Sequence, residues 1–174
     1  MKRTLFPYML ILLIAVLWIG CSHSEHTLAG SELDNASEAI MMEVNEATRY
    51  VFKKTDSTWT GHKMLYSLNS ENEKQLLVTY KVVKDSSWKY FDLFVNHLDL
   101  YSLPAQHEIE GWVPDSGTMP KRVYSFTVHL EDTSRSYSYQ DPIKEVTKHW
   151  QSTHVFSFVT LVQDELSWKE VKGK

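Results

Sequence analysis

The chain has 174 residues, 18 basic against 22 acidic, a formal net charge of −4, and it is 43% hydrophobic and 13% aromatic. That is the size and composition of one ordinary domain with a real core, not of a disordered polymer. The balance excludes the basic footprint of a nucleic-acid binder and any polybasic run for anionic lipid, and a single cysteine, Cys21, excludes an intramolecular disulfide.

The chain opens on Lys2 and Arg3, continues as an almost unbroken apolar run from Leu5 to Ile19, and closes on Gly20-Cys21. A charged start, an apolar core and a small residue at the end are the layout of an export signal. About fifteen apolar residues fall short of the roughly 20 that an untilted membrane-spanning helix needs, and Pro7 interrupts a regular helix. The segment Leu17-Trp18-Ile19-Gly20-Cys21 resembles the lipobox of bacterial lipoproteins. The resemblance implies cleavage before Cys21 and attachment of diacylglycerol to its sulfur. It also implies an exported protein held to the cell membrane or outer membrane by that lipid. Ser22 resembles the outer-membrane sorting pattern. Two alternatives stand beside it: ordinary signal-peptidase cleavage at Thr27-Leu28-Ala29, and an uncleaved anchor helix. All three place the rest of the chain outside the cytoplasmic membrane.

Each buried methylene of an acyl chain contributes about 0.8 kcal/mol, so two or three chains make attachment effectively permanent. Loss of residues 1–20 removes Lys2 and Arg3 and leaves 18 − 2 = 16 basic against 22 acidic residues, a charge of −6. Cys21 and residues 22–30 read as lipidated cysteine and tether, with a reach of roughly 30 Å for the latter, and residues 31–174 as one domain. His23, Glu25 and His26 in the tether read as solvated spacer rather than metal ligands.

Residues 31–52 carry Leu33, Ala36, Ile40, Val44, Ala47 and Val51 at three- and four-residue steps, behind Ser31 and Asp34 as a capping pair. This spacing predicts a long helix lying on a sheet. From residue 58 the period becomes two: residues 58–68 and 75–84 predict strands, the first weakened at Gly61. Residues 88–100 fit strand and helix patterns alike; the flanking turn and the aromatic content favour a strand. Residues 102–122 hold three of the five prolines and predict a long loop. Tyr124, Phe126, Val128 and Leu130 then alternate, with Tyr137 and Tyr139 answering across a turn at residues 132–135, the plainest β-hairpin in the chain.

Asp141-Pro142 opens a predicted short helix ending near Gln151, with Ile143, Val146 and Trp150 on its buried side and His149 as a favourable charge at its C-terminus. An apolar run over residues 154–162 and a last strand over 166–171 follow. Phe158 to Val162 with Trp168-Lys169 looks faintly like the closing hairpin of a cystatin-like or nuclear-transport-factor-like roll. The fold class is therefore α+β: a mainly antiparallel sheet of five to seven strands with one long N-terminal and one short C-terminal helix packed on it.

No motif for a catalytic residue, metal or cofactor is present. The chemistry-bearing cluster is His107, Glu108, Glu110, Trp112 and Asp115 in the long loop. An imidazole among carboxylates is a candidate for acid–base work or a divalent ion, although adjacent residues on an extended segment point apart. Tyr137 and Tyr139, beside Tyr124, Phe126, Trp88, Tyr90 and Trp112, are candidates for a platform that stacks on a sugar or peptide. The expected function is a lipid-anchored, non-enzymatic envelope protein binding another envelope component, protein or glycan, or a small ligand. The rivals are an envelope enzyme working through residues 102–122 and a structural subunit of an envelope complex.

Overall fold

The computed structural model describes residues 36–113 and 122–172. The leader, Cys21, the tether, Ser31, Asp34 and Asp115 lie outside the described residues.

Seven strands form one sheet: β1 Glu38–Val44, β2 Thr48–Thr55, β3 Thr58–Leu68, β4 Lys74–Val82, β5 Val123–Leu130, β6 Thr133–Gln140 and β7 Trp168–Glu170. The spatial order is β6-β5-β1-β2-β3-β4-β7 and every neighbouring pair is antiparallel. Tight turns at Asn45-Glu46 and Asp56-Ser57 join β1 to β2 and β2 to β3, all four residues at positive φ, which is the backbone twist that closes hairpins. Two helices, α1 Phe91–His97 and α2 Trp150–Thr160, complete the fold, each extended by an irregular turn: 3-10 at Trp88–Tyr90 before α1, π-helical at Leu161–Glu165 after α2.

Mainly antiparallel α+β architecture, the strands at residues 58–68 and 75–84 and the β5–β6 hairpin all match the sequence expectation. The long N-terminal helix does not: its described part is the β1–β2 hairpin. These are central strands, buried on both faces from Ala39 to Met42 and from Tyr50 to Phe52. Such strands read as continuous apolar runs rather than alternating ones, and a helix-spaced subset can be picked out of any continuous run.

The opposite error occurs twice. Of residues 88–100, 88–97 are helical and 98–100 a turn, with Phe91, Val95 and the C-cap Leu98 buried at helical steps. Residues 154–162 are helical too, with Val155, Phe158, Val159 and Val162 turned inward, so the hairpin behind the roll resemblance is not formed. The short helix over 142–151 reduces to a 3-10 turn, Pro142–Glu145, and α2 begins only at Trp150. His149 accordingly stands at the N-cap position of α2, without a side-chain capping bond, and not at a helix C-terminus, and Ile143 and Trp150 are exposed rather than buried.

Both helices pack on one face of the sheet. Phe52 is the hub, with ring centroids 4.6 Å from Phe91, 6.0 Å from Phe158 and 6.2 Å from Trp88. Ile40, Met42, Tyr50, Tyr124, Phe126, Val128, Tyr137 and Tyr139 share that face and that core.

Candidate functional site

The loop cluster does not converge. Residues 106–108 form a 3-10 turn in which Glu108 Oε2 accepts the Ala105 N–H at 2.8 Å, so this carboxylate caps its own turn. His107 and Glu110 are exposed, while Trp112 is half-buried against the core.

What this loop does is fasten itself to β6. The Tyr137 hydroxyl donates to Leu100 O at 2.7 Å and the Tyr139 hydroxyl to Pro104 O at 2.8 Å. Gln106 donates from Nε2 to Gln140 O at 3.2 Å and accepts the Gln140 N–H at 2.7 Å. Burial pushes both tyrosine hydroxyls above the usual tyrosine range. The exposed aromatic platform is therefore corrected: Tyr137, Tyr139, Tyr124, Phe126 and Trp88 are core, and Tyr90 alone of that set stands clearly exposed. Alternation placed the two tyrosines on a single face; only the register shows that face to be the covered one.

A second polar cluster ties α1 to the sheet. Lys54 Nζ lies 2.7 Å from Glu38 Oε1 and 2.8 Å from Asp92 Oδ1, and Trp59 Nε1 donates to the same Asp92 oxygen at 2.7 Å. Tyr101 OH donates to Glu38 Oε2 at 3.1 Å. The Lys54 ammonium, followed by the indole N–H, holds the Asp92 carboxyl below the usual aspartate range; Asp92, then Glu38, raises the Lys54 ammonium. The named groups are spent on one another, which is the economy of a structural tie.

The helix layer carries an apolar and imidazole surface that no sequence motif announced. Trp150 is 55% and Leu93 67% exposed. Between them lie His97 and His154: Leu93 and His97 are one turn apart on α1, as are Trp150 and His154 on α2. The His97 and His154 ring centroids are 6.3 Å apart, and Trp150 meets His154 edge-on at 4.9 Å. Nδ1–H of His154 donates to Leu98 O at 3.0 Å, which leaves Nε2 available. Trp150 sits at helical spacing with Val146, which is why the sequence put it inside.

The far face of the sheet bears no described helix. By register it presents Ala39, Met41 and Glu43 of β1; Arg49, Val51 and Lys53 of β2; His62 and Met64 of β3; and Thr79 and Lys81 of β4. Lys169 of β7 stands directly across from Lys81, and the sheet edge beside them holds a depression of about 290 Å³ lined also by Val82, Val83, Glu170 and Val171. On β5 and β6 the same face is hydroxylic, with Thr127 and Ser136 oxygens 3.0 Å apart and His129 Nδ1 2.8 Å from Ser134 Oγ. Ala39, Met41 and Val51 are buried yet separate from the main core. Glu43 is clasped by Arg49 at 2.9 Å and Lys74 at 2.6 Å. Burial alone would raise its carboxyl; the two cations outweigh that and hold it below the usual glutamate range.

Among the described residues no group of three or more His, Cys, Asp or Glu side chains is placed to hold a metal ion, and no helix is long and apolar enough to cross a membrane. No protein-family model, no curated protein and no solved structure matches the chain.

Proposed function

We propose that this chain is an exported protein held to a membrane by lipid on Cys21, and that its folded part is a non-enzymatic docking module for another envelope protein. The leader supports the address: a charged start, a short apolar run and the lipobox resemblance ending on the only cysteine.

One observation carries the docking role: the surface formed by Leu93, His97, His154 and Trp150 on the outside of the helix layer. Tryptophan is the residue most enriched among the few that dominate protein–protein binding energy. Here its ring is braced edge-on by His154 and not folded into the core. The loop rival has no comparable geometry, since the glutamate closest to His107 is committed to its own turn.

A photo-crosslinking residue placed at position 93 in intact envelopes tests the docking role. One adduct of defined mass is expected, and it should vanish in a Trp150→Ala background of unchanged thermal stability. An adduct indifferent to Trp150, or none, would reject this surface. Cys21→Ser tests the address separately: it should stall processing or release the protein from membranes.

A further inference from the structure

We infer that the face of the sheet bearing no described helix lies against the anionic leaflet in which the protein's own acyl chains sit, with Lys53, Lys81 and Lys169 among the lipid headgroups. The inference rests on the lipid-anchored reading above and adds an orientation and a lipid preference to it.

No polybasic run exists in the sequence, because the cations are dealt one or two to a strand. The sheet collects them. Among the described residues, Arg49 and Lys53 from β2, Lys74 and Lys81 from β4 and Lys169 from β7 share the face with one carboxylate, Glu43. That is 5 − 1 = +4 on one face; without residues 1–20 the chain carries −6, so its other residues carry −6 − 4 = −10. Glu43 is occupied by Arg49 and Lys74. Among the described residues Lys53, Lys81 and Lys169 have no carboxylate partner. Lys81 and Lys169 are directly opposed across β4 and β7, an arrangement that costs stability in water and that an anionic surface would relieve. His62, between Lys53 and Lys81, feels the same field: burial first, then those two lysines, depress its pKa.

Two further features select the leaflet among anionic partners. The described chain begins at Ala36, and Ala39 is paired with Lys53 on this face. Cys21 is fifteen residues before Ala36, a reach of at most about 50 Å, so a lipid on its sulfur makes contact with the leaflet an intramolecular event at high effective concentration. The acidic remainder of the molecule is repelled by the same surface, which turns the helix layer and Trp150 away from it. A second copy is disfavoured, since +4 would meet +4.

The test uses the full-length acylated protein in vesicles of phosphatidylcholine alone or mixed with phosphatidylglycerol. Lysines are acetylated under limiting reagent and quantified singly by mass spectrometry, and the vesicles are floated in parallel. Lys53, Lys81 and Lys169 should react about fivefold more slowly in the anionic vesicles, the factor corresponding to about 1 kcal/mol per lysine near such a surface. High salt should abolish the difference. Lys63, on the helix side over Tyr50 and Tyr80, and Lys148, paired with Glu145, should not change. Equal rates in both vesicles overturn the inference. So does equal protection in both, which assigns the face to a protein. Protection in detergent by added glycerol phosphate also overturns it, by assigning the face to a soluble anion. Protein that floats with neither vesicle contradicts the anchored reading itself, whereas protein that floats with both but stays unprotected contradicts only the leaflet contact.

Discussion

Phe52 lays its ring over the bare Cα of Gly61, its cross-strand partner: a Cβ built on that glycine would sit 3.0 Å from both Cδ1 and Cε1 of Phe52 and 3.3 Å from Val82 Cβ. The absent side chain on β3 is what lets the central ring of the core lie flat against the sheet and still reach Phe91 and Phe158. In the sequence the same glycine reads only as a weak point in a strand.

Gly61→Ala should therefore destabilise the fold. Its backbone is ordinary extended strand, where alanine by itself costs nothing, so the whole penalty comes from displacing a packed ring. Overpacking of this kind costs about 1–3 kcal/mol. Chemical denaturation should show it, and the double variant with Phe52→Leu should recover part of the loss. An unchanged midpoint would mean that Phe52 is not seated on Gly61.

Gln106 gives a second expectation. Its side-chain amide engages both outward backbone groups of Gln140 at the end of β6, acting as a one-residue strand and closing that edge of the sheet. Gln106 is 4% exposed. Gln106→Ala leaves those groups without their partners, at a cost of about 1–3 kcal/mol. Gln106→Glu, which keeps the acceptor but sets a buried carboxylate oxygen against Gln140 O, should cost at least as much as alanine at neutral pH. The two thermal midpoints check this order.

The parts of the fold that were legible share a property: one face of the strand is covered and the other wet. β5 and β6 alternate cleanly because Tyr124, Phe126 and Val128 meet the helices while Ser125 and Thr127 do not. β1 and β2 hid because both their faces are buried, and α2 hid because Val155, Phe158, Val159, Leu161 and Val162 crowd into a run short enough to pass for a strand. The site was less legible still. Trp150 has no local mark of exposure, and Lys53, Lys81 and Lys169 come together only through register across β2, β3, β4 and β7.

Ser152 is the one fully buried side-chain oxygen without a hydrogen-bond partner among the described residues. It sits in the first turn of α2, facing the core. Ser152→Ala removes an unpaired hydroxyl and gains helix propensity, so it should stabilise the protein by about 1 kcal/mol. A loss of stability on this substitution, read from denaturant midpoints, would show that the hydroxyl has a partner in solution.

The tie between α1 and the sheet gives stability a defined pH dependence. Asp92 is held below the ordinary aspartate value by the Lys54 ammonium, then by Trp59 Nε1–H. A carboxyl with a lowered folded pKa contributes fully above its unfolded value of about 3.9, and the contribution is lost as pH falls through the folded value. Lys54, raised by Asp92 and then Glu38, has the opposite sign: its contribution is complete below its ordinary value of about 10.4 and is lost as pH rises through the folded value. Between those limits the tie is intact. Asp92→Asn should lower stability most in the neutral plateau and least in strong acid, where the wild-type carboxyl is itself protonated, so the two curves of denaturation midpoint against pH should converge below about pH 4. Parallel curves down to strong acid would mean that Asp92 acts through packing and not through its charge.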